Sequence, residues 1–278
     1  MKALIDLDPL PYAYGGLTFD DGVIMPDSIL RSMVDEKITS IVEASGADNW
    51  VGYLTDSGSN FRLDLATILP YKGNRAGLSK PPRYQMLRDY LLDAYPDNVK
   101  LVHGMEADDQ LAIDQYKDYR RLSFRMLEKN AQLGTPFYRE ISEACKTIIC
   151  TIDKDLMMVP GWHYNWKSDE VSFVTEVEGL RFFYKQLLTG DMTDNIRGLY
   201  GVGKKSKLLS DLDEMEEEED MFKHVYAEYI KRFGNYADQF MLENGRLLWM
   251  LKKEGEMWIF PEITHEENED DNLNDIPF

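Results

Sequence analysis

Val99 to Ile113 reads VKLVHGMEADDQLAI. Val99 to His103 is a short strand that breaks at Gly104, and three acids, Glu106, Asp108 and Asp109, then stand where a helical pattern begins. The same grammar recurs along the chain. Lys2 to Asp6 (KALID) is a short buried strand ending in a carboxylate. Asn49 to Thr55 (NWVGYLT) is followed by Asp56, and Thr147 to Ile152 (TIICTI) runs into Asp153-Lys154-Asp155. Between the first two strands, Asp27-Ser28 offers an N-cap for a helix carrying Leu30, Met33, Val34, Ile38, Ile41 and Val42 on one face. Strands alternating with helices predict an α/β fold with a largely parallel central sheet flanked by helices.

In such sheets, ligand sites form beyond the carboxyl ends of the strands. Asp6, Asp56, Glu106, Asp108, Asp109, Asp153 and Asp155 are therefore expected to converge on one edge although they are scattered in sequence. That many carboxylates repel one another unless hard cations neutralise them. With almost no histidine nearby and no thiolate cluster, an all-oxygen donor set favours Mg²⁺ or Mn²⁺ over zinc.

A second constellation lies at Gly190 to Lys205, GDMTDNIRGLYGVGKK. Asp191 and Asp194 are one helical turn apart, so a helical start would aim both at one point. Glycines at 201 and 203 let backbone N–H groups approach an anion, and Lys204 and Lys205 add charge.

The net charge of −19 argues against nucleic acid at first sight, but its placement does not. Acid is concentrated in EMEEEED (Glu214 to Asp220) and in the tail from Glu262, whereas base gathers in YKGNR, SKPPR and GKKSK. The two cysteines, Cys145 and Cys150, suit a reducing compartment as buried thiols. The N-terminal apolar run is broken by Asp6 and Asp8, and no apolar stretch is long enough to span a bilayer, so the expectation is a soluble, cytoplasmic protein without a membrane role.

The blocks LTDSGSNFR, LPYKGNR, GMEADDQLA, TIDKDL and LLTGDMTDNIRGLYGVG, in this order from Lys2 to about Lys207, resemble the 5′-nuclease (flap endonuclease) superfamily, and most of all the phage 5′→3′ exonucleases, including those of short-tailed phages. The resemblance implies a PIN-like, Rossmann-like catalytic domain over residues 1–188 with an arch over about 74–95. It further implies a helix-three-turn-helix DNA-binding region over 189–261, and residues 262–278 form an acidic tail. A first metal cluster falls on Asp6, Asp56, Glu106, Asp108 and Asp109, and a second on Asp153, Asp155, Asp191 and Asp194, together holding two Mg²⁺ ions, with Mn²⁺ as a substitute. Lys72 and Arg75 match basic residues that contact the scissile phosphate. Tyr71 matches a position that stacks on a base, and Lys80, Arg83 and Arg88, within the arch, are expected to track the backbone unless Pro81-Pro82 simply opens a surface helix. Gly198, Gly201, Gly203, Lys204 and Lys205 fall in the turn that holds duplex phosphates, where K⁺ can also sit.

The implied substrate is duplex DNA with free 5′ ends or flaps, RNA–DNA hybrids included, cut by a monomer located in the host cytoplasm if the chain is phage-encoded. Leu7 stands where the family has a small residue, and Asp8 competes as a ligand. Arg120, Arg121, Arg125 and Lys129 lie in extra length that either adds DNA contacts or forms a surface helix pair. The tail ends Asp-Ile-Pro-Phe (Asp275 to Phe278), similar to the tip of bacterial single-stranded DNA-binding proteins, which implies recruitment by a replication or repair partner. Two other readings of the same residues are a Mg²⁺-dependent aspartyl-phosphate phosphatase built on Asp6-Leu7-Asp8 and a non-catalytic binder of DNA ends or junctions.

Overall fold

The computed structural model describes residues 1–130 and 142–262, with side chains from 123 to 130 left aside. The side chains of Arg125 and Lys129, and the Asp-Ile-Pro-Phe end, lie outside what it describes.

A six-stranded sheet organises the chain, built from β1 (Lys2–Asp6), β2 (Asn49–Asn60), β3 (Val99–Gly104), β4 (Thr147–Cys150), β5 (Gly161–Asn165) and β6 (Glu170–Val174). Its order is β3-β2-β1-β4-β5-β6; β1 to β5 are parallel, and β6 returns antiparallel to β5 at the edge. The chain winds outward from β1 through β2 to β3, then restarts on the other side of β1 with β4. Helices on both faces explain why the strands read as nearly continuous apolar runs. Ala3 and Ile5 point into one core, with Leu30, Val34, Ile38, Ile41, Leu87 and Leu91. Leu4, between them, points into the other, with Leu111, Ile149, Phe183 and Leu187.

The first face is covered by α1 (Pro9–Tyr14), α2 (Asp27–Ala44) and, beyond the short α3 (Phe61–Leu65), by α4 (Tyr84–Ala94). The other is covered by α5 (Ala107–Asn130) and α6 (Glu176–Thr189), on which α7 (Lys207–Asp213), α8 (Glu218–Phe233) and α9 (Ala237–Leu248) are built. Helix α6 starts with a capping box, Thr175 and Glu178 each bonding the other's backbone amide. No described helix is long and apolar enough to cross a membrane. Both cysteines are buried free thiols.

Several local expectations are corrected. Asp27 does not cap α2: Pro26 stands at the cap without a side-chain bond, and Asp27 is the first helical residue, paired with Arg83 at 2.8 Å. Strand β2 does not end at Thr55 but runs on to Asn60, with an irregular register against β3 between Thr55 and Asn60. Strand β4 stops at Cys150, which frees the Thr151 hydroxyl to reach Asp6. Within the stretch 74–95, expected as an arch, α4 is a packed helix whose Leu87 and Leu91 are buried. Asp191 and Asp194 do not start a helix. Gly190–Asp191 (β7) pairs with Ile196–Arg197 (β8), so the two acids belong to a hairpin turned by Asn195 at φ 62°. A left-handed residue closes such a turn, and asparagine tolerates it.

Candidate active site

Because the winding reverses between β1 and β4, a crevice opens at the carboxyl ends of these two strands, and Asp6 and Asp153 flank it. The cavity there has a volume of about 540 Å³ and is lined by Asp6, Asp56, Glu106, Asp108, Asp153, Asp155, Asp191 and Asp194, and also by Asp8. Eight of the acids picked out in sequence therefore meet in one place. Lys72, Arg75, Lys80 and Tyr71 line the same cavity.

All of these acids but Asp108 are held by a hydrogen bond or an ion pair. Asp6 accepts from the Thr151 hydroxyl at 3.0 Å and from the Asp8 amide at 3.1 Å. Asp153 accepts from the Asp155 amide at 2.8 Å, as the cap of a single 3₁₀ turn. Asp155 and Asp191 share Lys154, whose Nζ lies 2.9 and 3.0 Å from them. Glu106 pairs with Lys72 at 2.5 Å, and Asp194 with Arg75 at 2.7 Å. Asp56 bonds His103 Nδ1 at 2.7 Å on the exposed rim.

Burial, reinforced by neighbouring Asp8 and Asp153, pushes the Asp6 carboxyl up to about 8. Burial with the neighbouring Asp153 and Asp191 raises Asp155 to about 7. Asp108 is raised well above the usual carboxylate range by burial, and then by Asp6, Asp153 and Glu106. Burial would also raise Glu106, but Lys72 and Arg62 outweigh it and hold that carboxyl low. Asp191 lies at about 2: burial opposes ionisation, yet hydrogen bonds from Asp155, Lys154 and the Thr193 amide prevail.

Divalent cations fit this donor set. The donor atoms on offer are all carboxylate oxygens, and Asp108 Oδ1 is buried without any hydrogen-bond partner. Among the described residues, no three His, Cys, Asp or Glu side chains are already drawn to one point as an ion would hold them. Four of the acids are paired with bases instead: Glu106 with Lys72, Asp194 with Arg75, and Asp155 and Asp191 with Lys154.

Three expectations about individual residues fail here. Asp109 does not face the cavity: it is 0% exposed, and both its oxygens bind Arg62. Tyr71 offers no face for stacking. It is 5% exposed, with its hydroxyl 2.8 Å from Glu106 and 2.7 Å from Asp194, so it joins two acids from distant parts of the chain. Asp8 does not compete as a ligand, because it accepts from the Thr55 amide at 3.1 Å and from Arg88 at 2.8 Å.

The expected DNA contacts divide. Lys80 lines the cavity, its Nζ 4.4 Å from the Tyr84 ring centre, whereas Arg83 turns to Asp27. Gly198 is a packing glycine, since a Cβ there would lie 2.3 Å from the Gly190 nitrogen. Gly201, at φ +80°, and Gly203 have open space around them, beside exposed Lys204 and Lys205. In the extra length, Arg121 pairs with Asp118 at 2.9 Å, and Arg120 stands 4.0 Å from Glu256.

Comparison with known proteins adds the following. No protein-family model matches the chain, and no curated protein matches its sequence. Among solved structures it is similar to a bacteriophage T5 5′-exonuclease with bound zinc, at 17% identity and TM-score 0.47 over 88% of this chain and 100% of that one. It is also similar to the bacteriophage T5 flap endonuclease in a complex with DNA and metal ions, at 16% identity and TM-score 0.47 over 89% and 98%. The catalytic core of Rad2 with DNA substrate aligns at 11% identity and TM-score 0.45, over 84% of this chain and 66% of that one.

Arg88, expected to track the DNA backbone, is instead buried and donates to Asp8 and to the Thr55 carbonyl. Sequence reasoning missed Arg62, Thr151, Asn195 and Glu243. Arg62 and Arg88 are buried arginines, and nothing in one sequence separates such a residue from a solvated one. Glu243 accepts from the amides of Thr67 and Ile68 at 2.8 and 2.7 Å, anchoring the loop that carries Lys72 from 175 residues away.

Proposed function

We propose that the chain is a metal-dependent 5′-nuclease, hydrolysing DNA phosphodiesters near 5′ ends as an exonuclease and at flaps as an endonuclease. The observation that carries this is the joint lining of one cavity by eight acids and by Lys72 and Arg75. Acids alone would suit a structural cation, and bases alone a phosphate. The two together suit a phosphodiester held against cations.

Asp6, Glu106, Asp108, Asp153, Asp155, Asp191 and Asp194 would hold the ions, Mg²⁺ in the first place and Mn²⁺ as its substitute, with Asp56 at the rim. Bound there, the ions supply an activated water and charge for the leaving oxygen. Lys72 and Arg75 are placed to bind the scissile phosphate and to stabilise charge that develops on it. Tyr71 keeps Glu106 and Asp194 in register. The turn at Gly201 to Lys205 would grip the phosphates of the duplex, with K⁺ at its carbonyls. RNA–DNA hybrids and a protein partner at the tail belong to the same proposal, as does the division into a catalytic domain (1–188) and a DNA-binding region (189–261).

The phosphatase reading has less support, since Asp8 beside the would-be nucleophile Asp6 is bound by Arg88 and the Thr55 amide. Digestion of a 5′-labelled flap duplex and of a blunt duplex, each with Mg²⁺ and with chelator, tests the proposal. Short 5′ products only with Mg²⁺ are expected. Duplex binding without cleavage would favour a non-catalytic end binder.

A further inference from the structure

Arg62 is sealed between two parts of the chain that are far apart in sequence. Its NH1 and NH2 nitrogens donate to the two oxygens of Asp109 at 2.5 and 2.9 Å. Its Nε donates to the Leu247 carbonyl at 2.9 Å, and NH2 donates again to the Trp249 carbonyl at 2.7 Å. Asp109 in turn accepts from the amides of Glu106 at 3.2 Å and Leu251 at 3.3 Å. One ion pair thus joins the start of α5 to the chain leaving α9.

A buried ion pair is weak as a stabilising device, because an apolar pair of similar volume does as well or better. Stability alone therefore does not explain this one. What it does reach is Glu106. NH1 of Arg62 stands 3.8 Å from Glu106 Oε2, and the amide of Glu106 is bonded to Asp109. Glu106 is consequently fixed twice, once through its backbone and once by the guanidinium beside its carboxylate. The same carboxylate accepts from Tyr71 at Oε2, 2.8 Å, and from Lys72 at Oε1, 2.5 Å.

We propose that Arg62 and Asp109 are positioning residues that hold Glu106 toward the cavity, and that Asp109 is not itself a cation ligand. The inference rests on the nuclease reading above. It also gives the segment Leu247–Leu251 a function: the Leu247 and Trp249 carbonyls and the Leu251 amide hold the Arg62–Asp109 pair at the cavity wall.

The test is a titration of the full-length protein with Mn²⁺, followed by the electron paramagnetic resonance signal of the free ion, alongside thermal unfolding and cleavage kinetics. Arg62→Met alone leaves Asp109 buried without a partner and is expected to fold poorly. The double variant Arg62→Met/Asp109→Leu removes both charges and is expected to unfold close to the wild-type temperature. It should bind as many Mn²⁺ ions as wild type, with affinity weakened about 10-fold or more. It should also lose kcat while KM for duplex holds. Asp108→Asn, by contrast, should lose a bound ion.

Wild-type Mn²⁺ affinity and kcat in the double variant would overturn the positioning role. Loss of an ion, as in Asp108→Asn, would overturn the statement that Asp109 is not a ligand. If the double variant does not fold, Arg62→Lys decides, because it keeps the charge without the two-pronged grip. Weakened Mn²⁺ binding at unchanged stoichiometry supports the proposal there, and wild-type affinity overturns it. A wild-type protein that binds no Mn²⁺ overturns the nuclease reading together with this one, so the two failures are distinguishable.

Discussion

Gly190 and Gly198 press their backbones together: a Cβ on Gly190 would lie 2.2 Å from the Gly198 nitrogen, and one on Gly198 would lie 2.3 Å from the Gly190 nitrogen. This contact closes the β7–β8 hairpin that carries Asp191 and Asp194 and joins it to the end of α6. Gly190 also has φ +69°, so an L side chain there is strained twice. Gly190→Ala is expected to cost about 3–5 kcal/mol, within the range of severe backbone substitutions. Chemical denaturation measures it, and a cost under about 1 kcal/mol, the level of an ordinary surface change, would show that the hairpin is not held this way.

The Tyr71 hydroxyl separates two accounts of that residue. If the ring stacks on a base, Tyr71→Phe should be nearly silent, since phenylalanine stacks as well. Joined to Glu106 and Asp194, the hydroxyl should matter instead. Cleavage is expected to fall by about 10-fold, with duplex affinity unchanged, as for other groups that orient metal-binding carboxylates. Single-turnover rates and a binding titration on the same variant give the answer.

Glu243 reaches across the molecule to the loop before Lys72. Glu243→Ala leaves the amides of Thr67 and Ile68 without their acceptor, a loss of about 1–3 kcal/mol. Glu243→Gln retains an acceptor for both and should recover most of it. Equal loss in the two variants would mean that negative charge, rather than hydrogen bonding, fixes the loop.

His163 links stability to pH away from the cavity. It is buried in β5 with Nε2 2.7 Å from the Val159 carbonyl, and burial lowers its pKa from 6.5 to about 4. The unfolded chain therefore binds a proton that the folded chain refuses between these values. The stability owed to the neutral ring is complete above pH 6.5 and is lost as pH falls toward 4, by about 3 kcal/mol in all. His163→Gln should flatten this part of the pH–stability curve, and an unchanged slope would exclude the residue as its source.

The parallel sheet was legible because apolar runs ending in acid repeat at β1, β2, β3 and β4, and the winding rule then sends those ends to one edge. The cavity's acids followed from the same rule, with one failure that is instructive. Asp108 and Asp109 are adjacent on a helix start, so they point about 100° apart and only one can face the crevice. Sequence shows two equal acids; only the buried Arg62 tells which is turned inward. Asp191 and Asp194 were placed at the right site by the wrong local structure, because the spacing of three suits a helix as well as a tight hairpin. Arg88, Thr151 and Glu243 act through contacts distant in sequence, and local patterning carries no trace of those.

The most direct measurement is single-turnover digestion of a 5′-labelled duplex by Asp108→Ala and Asp153→Ala beside wild type, with duplex affinity measured on the same samples. The account predicts Mg²⁺-dependent cleavage by wild type, none by either variant, and duplex affinity largely retained in both. Cleavage by the variants at the wild-type rate, or by wild type in chelator, would contradict it.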